Sequence, residues 1–112
     1  MNLNQYQLGA QRTANPDLTD QARLIQCGLG LCGESGELAD HLKKHLYHGH
    51  ELDRAHMKKE LGDILWYVAT GAYAMGFSLE EIAAGNLLKL RKRYPKGFDE
   101  DRSRNRPGED EP

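Results

Sequence analysis

The chain has 112 residues, with 15 Lys and Arg against 17 Asp and Glu, which gives a net charge of 15 − 17 = −2. A chain of this length buries one hydrophobic core but is too short for a doubly wound sheet with a separate substrate domain. The near balance of charge argues against a protein that holds nucleic acid along its backbone. No stretch approaches the roughly 18 apolar residues of a membrane span, and the first residues lack the basic start and apolar run of a signal peptide. We therefore expect a cytoplasmic domain that binds neither nucleic acid nor membranes.

Apolar residues at helical spacing predict four helices, and no stretch has the pattern of a β-strand. The expected spans, in chain order, are about Asn4 to Ala14, Thr19 or Asp20 to Gly49, Asp53 to Gly76, and Ser78 to the residue before Pro95. Asn4 and Asp53 are expected N-caps, and Ser78-Leu-Glu-Glu81 has the form of a capping box. Residues 99–112 contain no large apolar side chain, so we expect a domain over 1–98 and a charged, disordered tail. The predicted fold class is all-α.

Four glycines fall within the second predicted helix, at positions 28, 30, 33 and 36. The first three match the Gly-x-Gly-x-x-Gly pattern of a dinucleotide-binding turn, but that motif needs a preceding strand, and the residues before Gly28 have helical spacing. Each glycine costs a helix about 1 kcal/mol relative to alanine. Because glycine lets another backbone or a ligand approach closely, we expect a functional site beside this part of the helix.

Two pairs of carboxylates lie on consecutive predicted helices. Glu34 and Glu37 are three residues apart, and Glu60 and Asp63 repeat that spacing, so each pair shares a helix face. The residues between the pairs include a turn, which allows the helices to run antiparallel and bring the four carboxylates together. Four negative charges at one place repel unless protons or cations neutralise them. Oxygen ligands of this kind favour Mg²⁺ or Mn²⁺, bound alongside substrate phosphates.

A single acidic pair is common on a solvated helix face and does not identify a metal site by itself. Glu60 and Asp63, however, border or lie within an otherwise apolar run, LGDILWYVA, where an unpaired charge is expensive to bury. Two such pairs, each beside a glycine and on consecutive helices, favour a metal site.

With these residues the sequence resembles the MazG-like family of all-α nucleoside triphosphate pyrophosphohydrolases. The family's hallmark is ExxE followed by ExxD after a spacer of this size, and the blocks GLxxCGESGELAD, KELGDILWY and SLEEIAAGNLLKLRKRYPKGF are similar to family blocks in the family's order. The resemblance covers about residues 3–98. It implies a four-helix protomer that assembles into a helical-bundle homodimer or homotetramer, with the site near the subunit interface.

The resemblance also implies the chemistry. Glu34, Glu37, Glu60 and Asp63 would bind Mg²⁺ or Mn²⁺, two or more ions per site, and form the catalytic centre. The reaction would convert a nucleoside triphosphate into the monophosphate and pyrophosphate, in control of nucleotide pools. From similar enzymes we expect this protein to prefer deoxynucleotides, and (d)GTP is the first substrate to test.

A triphosphate facing four acids also needs positive charge and donors nearby. The candidates for contact with the substrate are, in chain order, Lys43, Lys44, Trp66, Asn86, Lys89 and Arg93. Each has a second interpretation, because cations near a helix C-terminus are favourable without a ligand and a tryptophan suits a core or an interface equally well.

Two alternatives to this enzyme stay open. One is a non-catalytic helical interaction module with an acidic face, which predicts no divalent-dependent nucleotide binding. The other is a pyrophosphohydrolase acting on another anhydride, such as phosphoribosyl-ATP. His41 and His45 are four residues apart and could bind Zn²⁺ in principle, but an exposed helical pair is the preferred interpretation.

Overall fold

The computed structural model describes residues 1–106. The regular secondary structure within that range is entirely helical. They are, in chain order, α1 (Leu3–Gln11), α2 (Asp20–Tyr47), α3 (Arg54–Ala74), α4 (Leu79–Arg93) and α5 (Glu100–Arg104). The predicted all-α class is confirmed, and four of the helices are substantial. None of the helices in the described range is both long and apolar enough to cross a membrane.

The chain divides into two compact units, Met1–Leu79 and the residues from Glu80 onward. The first unit contains α1, α2 and α3 and ends at the first residue of α4. The second contains the rest of α4 and α5. All four predicted carboxylates lie in the first unit.

The first helix begins earlier than predicted, because Asn2 and not Asn4 is its N-cap. The Asn2 side chain accepts a hydrogen bond from the Gln5 backbone N–H at 2.8 Å, and the Gln5 side chain accepts one from the Asn2 N–H at 2.8 Å. This reciprocal capping box satisfies two backbone donors that the helix itself leaves open. At the other end α1 stops at Gln11 rather than Ala14.

The next two helices begin where the sequence predicts. Thr19 caps α2 by accepting from the Ala22 N–H at 3.1 Å, and Asp53 caps α3 by accepting from the His56 N–H at 3.0 Å. After α3 the chain turns at Gly76, whose φ of 80° suits glycine far better than any residue with a Cβ. The two caps fix where the long helices start and therefore the positions of the carboxylates along them.

The packing of α2 against α3 depends on two small residues. A Cβ on Gly30 would collide with the ring of Tyr67, and a Cβ on Gly71 would collide with the side chain of Cys27. Cys27 also donates its S–H to the Tyr67 carbonyl oxygen at 3.2 Å. The glycine cluster was predicted to admit another backbone or a ligand, but the group that lies against Gly30 is the aromatic side chain of Tyr67.

A small core joins α1 to α3, with Ala10, Ala69 and Leu79 buried at its centre. Gln7 is also buried, and its amide nitrogen donates to the carbonyl oxygens of Ala69 at 3.1 Å and Phe77 at 3.0 Å. Its amide oxygen accepts from the Leu79 N–H at 3.0 Å. One side chain of α1 thus satisfies backbone groups at the end of α3 and the start of α4, which is how a buried amide is retained without loss of stability.

The segment predicted to be a disordered tail contains a short helix. Asp99 caps α5 by accepting from the backbone N–H groups of Asp101 and Arg102. Arg102 in turn donates to the carbonyl oxygens of Arg93 at 2.5 Å and Lys92 at 3.0 Å. Polar capping bonds, rather than buried apolar surface, order these residues, so the prediction was wrong for 100–104. Residues 107–112 of the predicted tail lie outside the described residues.

Candidate metal centre

Three of the four predicted carboxylates meet between α2 and α3. Glu34 and Glu37 from α2 and Glu60 from α3 each offer a carboxylate oxygen within 4.8 Å of the others. The helical spacing of three places the α2 pair on one face, and the packing of α3 against that face supplies the third group. This is a geometry in which one cation can contact all three side chains.

The carboxylates are held in a partly dry environment. Glu60 is only 5% exposed, and one oxygen of Glu60 and one of Glu34 are buried without a hydrogen-bond partner. An unpaired buried carboxylate oxygen is costly unless a proton or cation neutralises it. The two orphaned oxygens therefore indicate that the site is built to receive positive charge.

The crowding also perturbs the titration of Glu34. The adjacent carboxyl of Glu60 is the largest cause that raises the pKa of Glu34 above the usual carboxyl value, and burial and the charges of Glu60 and Asp63 act in the same direction. A smaller contribution from Glu37 opposes them. A carboxylate pair that competes for one proton is the expected result of placing like charges together.

Asp63, the fourth predicted carboxylate, stands outside the group of three. It is exposed and follows Glu60 by one helical turn. Its charge nevertheless reaches Glu34, and it also raises the pKa of the Tyr6 hydroxyl, for which burial is the larger cause. Asp63 thus lies on the same side of α3 as the cluster, towards α1.

Two histidines adjoin the cluster on the side away from Asp63. Nε2 of His56 lies 3.4 Å from Oε1 of Glu60. The His41 ring lies beside the His56 ring, with 5.3 Å between centroids and a tilt of 47°. The sequence analysis did not predict this pairing. The spacing nevertheless carried a signal, since His56 precedes Glu60 by four residues and His41 follows Glu37 by four.

The histidines also hold the turn between the two long helices. Nε2 of His41 accepts a hydrogen bond from the Asp53 N–H at 3.1 Å, and Nδ1 of His45 donates to the His50 carbonyl oxygen at 2.8 Å. The preferred interpretation of His41 and His45 as an exposed pair is therefore incomplete, since both tie the end of α2 to the following loop. These two nitrogens, Nε2 of His41 and Nδ1 of His45, do not share a metal position, because they have different backbone partners.

An open cavity of about 420 Å³ lies next to the carboxylates. Its lining residues are Gly33, Gly36, Glu37, Asp40, His41, Lys44 and His56. Gly33 and Gly36 have open space where a Cβ would stand. The glycines that accompany the acidic pair thus border space that a ligand could occupy.

The two candidate lysines of α2 are both paired to Asp40, with distances of 3.1 Å from Lys43 and 3.0 Å from Lys44. Hydrogen bonds from Lys44 and then Lys43 lower the pKa of Asp40. All three side chains are about half exposed. Of the two lysines, only Lys44 borders the cavity.

Trp66 lies elsewhere. Its indole N–H points to α1, where the Ala10 carbonyl oxygen is at 3.2 Å and the Thr13 hydroxyl oxygen at 2.8 Å. Its ring meets that of Tyr67 edge to face, at 5.1 Å and 88°. The structure gives Trp66 the packing role that was the second interpretation of this residue.

The remaining candidates belong to the second unit. Asn86 and Lys89 are exposed on α4, and Arg93, near the end of that helix, is half-buried with its guanidinium 5.7 Å from the centre of the Tyr94 ring. Their spacing places them on one helix face, as predicted. Their contact with a substrate stays a prediction.

Comparison with known proteins identifies the class of this fold and site. Residues 24–98 match the family model of the MazG nucleotide pyrophosphohydrolase domain. The chain is also 33% identical over 105 residues to the "Gene 37 protein" of Mycobacterium phage L5, a match that covers 87% of this chain and 92% of that protein. No solved structure gives a significant match. The chain belongs to the MazG nucleotide pyrophosphohydrolase family, as the resemblance predicted.

Proposed function

We propose that this protein hydrolyses nucleoside triphosphates to nucleoside monophosphates and pyrophosphate, with Mg²⁺ or Mn²⁺ held by Glu34, Glu37, Glu60 and Asp63. The observation that carries the proposal is the convergence of three carboxylates within 4.8 Å, two of them with a buried and unpartnered oxygen. An interaction module would have no need to bury such groups. Membership of the family supports the same reaction.

The donor set fits a hard cation. All three converging ligands are carboxylate oxygens, which suit Mg²⁺ and Mn²⁺ and leave positions for water and substrate phosphates. With Asp63 as a fourth ligand one turn beyond Glu60, the centre would have room for two or more ions. When bound, such ions supply Lewis-acid activation of water and charge neutralisation at the phosphates.

The protein's own residues then have two tasks. A carboxylate of the centre accepts the proton released when water adds to phosphorus. As the new P–O bond forms, the bond to the bridging oxygen breaks, and pyrophosphate leaves with its electron pair. Holding the triphosphate in line for this step is the larger task, and it falls to side chains with N–H donors.

Lys44 is our first candidate for contact with the phosphates, because it borders the cavity that also contains Glu37. Its present partner Asp40 would remain beside it. Asn86, Lys89 and Arg93 of α4, and Lys43, are further candidates. Trp66 stays a further candidate for contact with the base, with its N–H already engaged by α1.

We propose further that the active form is a homodimer or homotetramer acting on the cytoplasmic nucleotide pool. Within the described residues, α2 has no buried side chain, and Leu29 and Leu46 on it are 71% and 67% exposed. Apolar surface of this kind on a long helix favours burial against another copy.

The proposal is tested by incubating the protein with each of the eight common NTPs and dNTPs, with and without Mg²⁺ or Mn²⁺, and separating the products. We expect monophosphate and pyrophosphate, only with metal, and a preference for deoxynucleotides with dGTP and GTP compared first. Diphosphate and orthophosphate, or no turnover of any nucleotide, would refute it. Phosphoribosyl-ATP, included as a ninth substrate, distinguishes the alternative anhydride.

A further inference from the structure

The turn between α2 and α3 places two imidazole rings against the carboxylate centre. His56 stands at the start of α3, where the Asp53 side chain fixes its backbone N–H at 3.0 Å. From there its Nε2 reaches Oε1 of Glu60 one turn further along, at 3.4 Å. The other oxygen of Glu60 is buried and has no protein partner. His56 therefore contacts one oxygen of Glu60 and leaves the other for a ligand.

His41 supports this arrangement from α2. Its Nε2 accepts a hydrogen bond from the Asp53 N–H at 3.1 Å, which favours one orientation of the ring. The ring lies 5.3 Å from the His56 ring, centroid to centroid. Asp53 thus bonds the ring of His41 through its backbone N–H and the backbone N–H of His56 through its side chain.

We propose that His56 is a positioning residue for Glu60, and that His41 holds His56 in the orientation that serves this purpose. This inference rests on the proposed metal-dependent function. Carboxylates that bind metals are commonly oriented by hydrogen bonds from residues behind them, and removal of such a partner typically weakens metal binding by about 10-fold to 100-fold. Without His56, Glu60 would lose the contact that directs its free oxygen towards Glu34 and Glu37.

The test measures metal binding without turnover. Mn²⁺ is titrated into the full-length protein, and free Mn²⁺ is followed by its electron paramagnetic resonance signal. We expect His56→Ala to raise the Kd by about 10-fold, at the lower end of the usual range because the side chain is 46% exposed. His56→Gln keeps an N–H donor at a similar reach and is expected to recover most of the affinity. His41→Ala is expected to have a smaller effect in the same direction.

His48→Ala is the matched control, because His48 is the C-cap of α2 and belongs neither to the carboxylate cluster nor to the lining of the cavity. Its Kd should equal that of the unchanged protein. A kinetic readout accompanies the binding data: excess Mn²⁺ should restore kcat in His56→Ala with no change in the KM for the nucleotide. Because a ligand of the folded state also stabilises it, the helical circular dichroism of His56→Ala without metal must equal that of the unchanged protein, which excludes general loss of structure.

Equal Mn²⁺ affinity of His56→Ala and the unchanged protein would overturn the proposal. Equal weakening in His56→Ala and His56→Gln would also overturn it, since that result would make the imidazole itself a ligand. If the unchanged protein binds no Mn²⁺, the metal centre and the role of His56 both fail. If it binds Mn²⁺ but hydrolyses no nucleotide, only the proposed function fails, and the His56 comparison remains decisive for the positioning role.

Discussion

At the scale of single residues, the carboxylate cluster perturbs the pKa of Glu34. Its pKa is raised, first by the adjacent carboxyl of Glu60 and then by burial and neighbouring negative charge. The electrostatic repulsion at Glu34 can be neutralised by a proton or by a metal ion. Measurements with and without metal distinguish protonation from metal binding.

The first prediction concerns the metal-free protein as a function of pH. Because folding raises the pKa of Glu34 above its usual value of 4.5, the folded state holds the proton more tightly than the unfolded state. The resulting stability is fully present below the unfolded pKa and is lost as pH rises through the raised one. Glu34→Gln imitates the protonated side chain, so we expect it to melt at a higher temperature than the unchanged protein near neutral pH, with a smaller difference in acid.

The measurement is a series of thermal melts in EDTA between about pH 4 and 8, with the exposed loop variant Glu51→Gln as control. Saturating Mg²⁺ should reverse the order at neutral pH, because a ligand of the folded state stabilises the protein that binds it. A Glu34→Gln variant that melts lower than the unchanged protein in EDTA at neutral pH would contradict this account of the site.

At the scale of the elements, the alignment of α2 with α3 determines whether the carboxylates meet. Gly30 lies about one turn before Glu34, and Tyr67 about one turn after Asp63. The Tyr67 ring occupies the space above Gly30 that a Cβ would fill. This contact therefore sets the separation of the two helices close to the site.

We predict that Gly30→Ala destabilises the protein. Overpacking a close contact costs about 1–3 kcal/mol, and the gain of about 1 kcal/mol from the better helix former offsets only part of it. Gly28→Ala is the matched control, because nothing lies within 4 Å of a Cβ at that position in the described protomer. Urea denaturation of both variants measures the difference, and Gly30→Ala at least as stable as Gly28→Ala would contradict the proposed packing.

The helices themselves were largely predictable from the sequence, since caps and apolar spacing are local signals. The cap at Asp53 was predicted correctly for that reason, and the start of α2 was predicted to within one residue, at Thr19 or Asp20. The N-cap role of Asn2 was not predicted. Its capping box is completed by the side-chain amide of Gln5, which accepts the same hydrogen bond as the more familiar glutamate. The role of Gln7 could not be predicted, because its partners Ala69, Phe77 and Leu79 are distant in sequence.

At the scale of the whole molecule, the single chain leaves large side chains uncovered. Besides Leu29 and Leu46 on α2, Leu61 on α3 is 56% exposed. We predict a dimer or larger oligomer in solution, and that Leu29→Asp shifts it towards monomer by placing a charge in the buried interface. Sedimentation equilibrium measures the change. Phe98→Asp, which alters another exposed apolar residue, is the comparison, and a wild-type monomer at all concentrations would contradict the prediction.

The candidate site was predictable in composition but not in its supporting contacts. The spacing of Glu34, Glu37 and Glu60 required only that two helices pack face to face, and the structure brings these three together. The contacts of Trp66 could not be predicted, because its partners Ala10 and Thr13 are distant in sequence. The contact between His56 and Glu60 could be established only from the structure, although their spacing of four residues is compatible with it.

The central claim is that the carboxylate centre splits a triphosphate into a monophosphate and pyrophosphate. The most direct measurement follows phosphorus NMR signals of a nucleoside triphosphate with Mg²⁺ and either the unchanged protein, Glu60→Gln, or the loop control Glu51→Gln. We predict pyrophosphate and monophosphate signals with the unchanged protein and the control, and a rate at least about 100-fold lower with Glu60→Gln, equivalent to about 3 kcal/mol of transition-state stabilisation. Orthophosphate and diphosphate signals, or an unaltered rate with Glu60→Gln, would contradict the account.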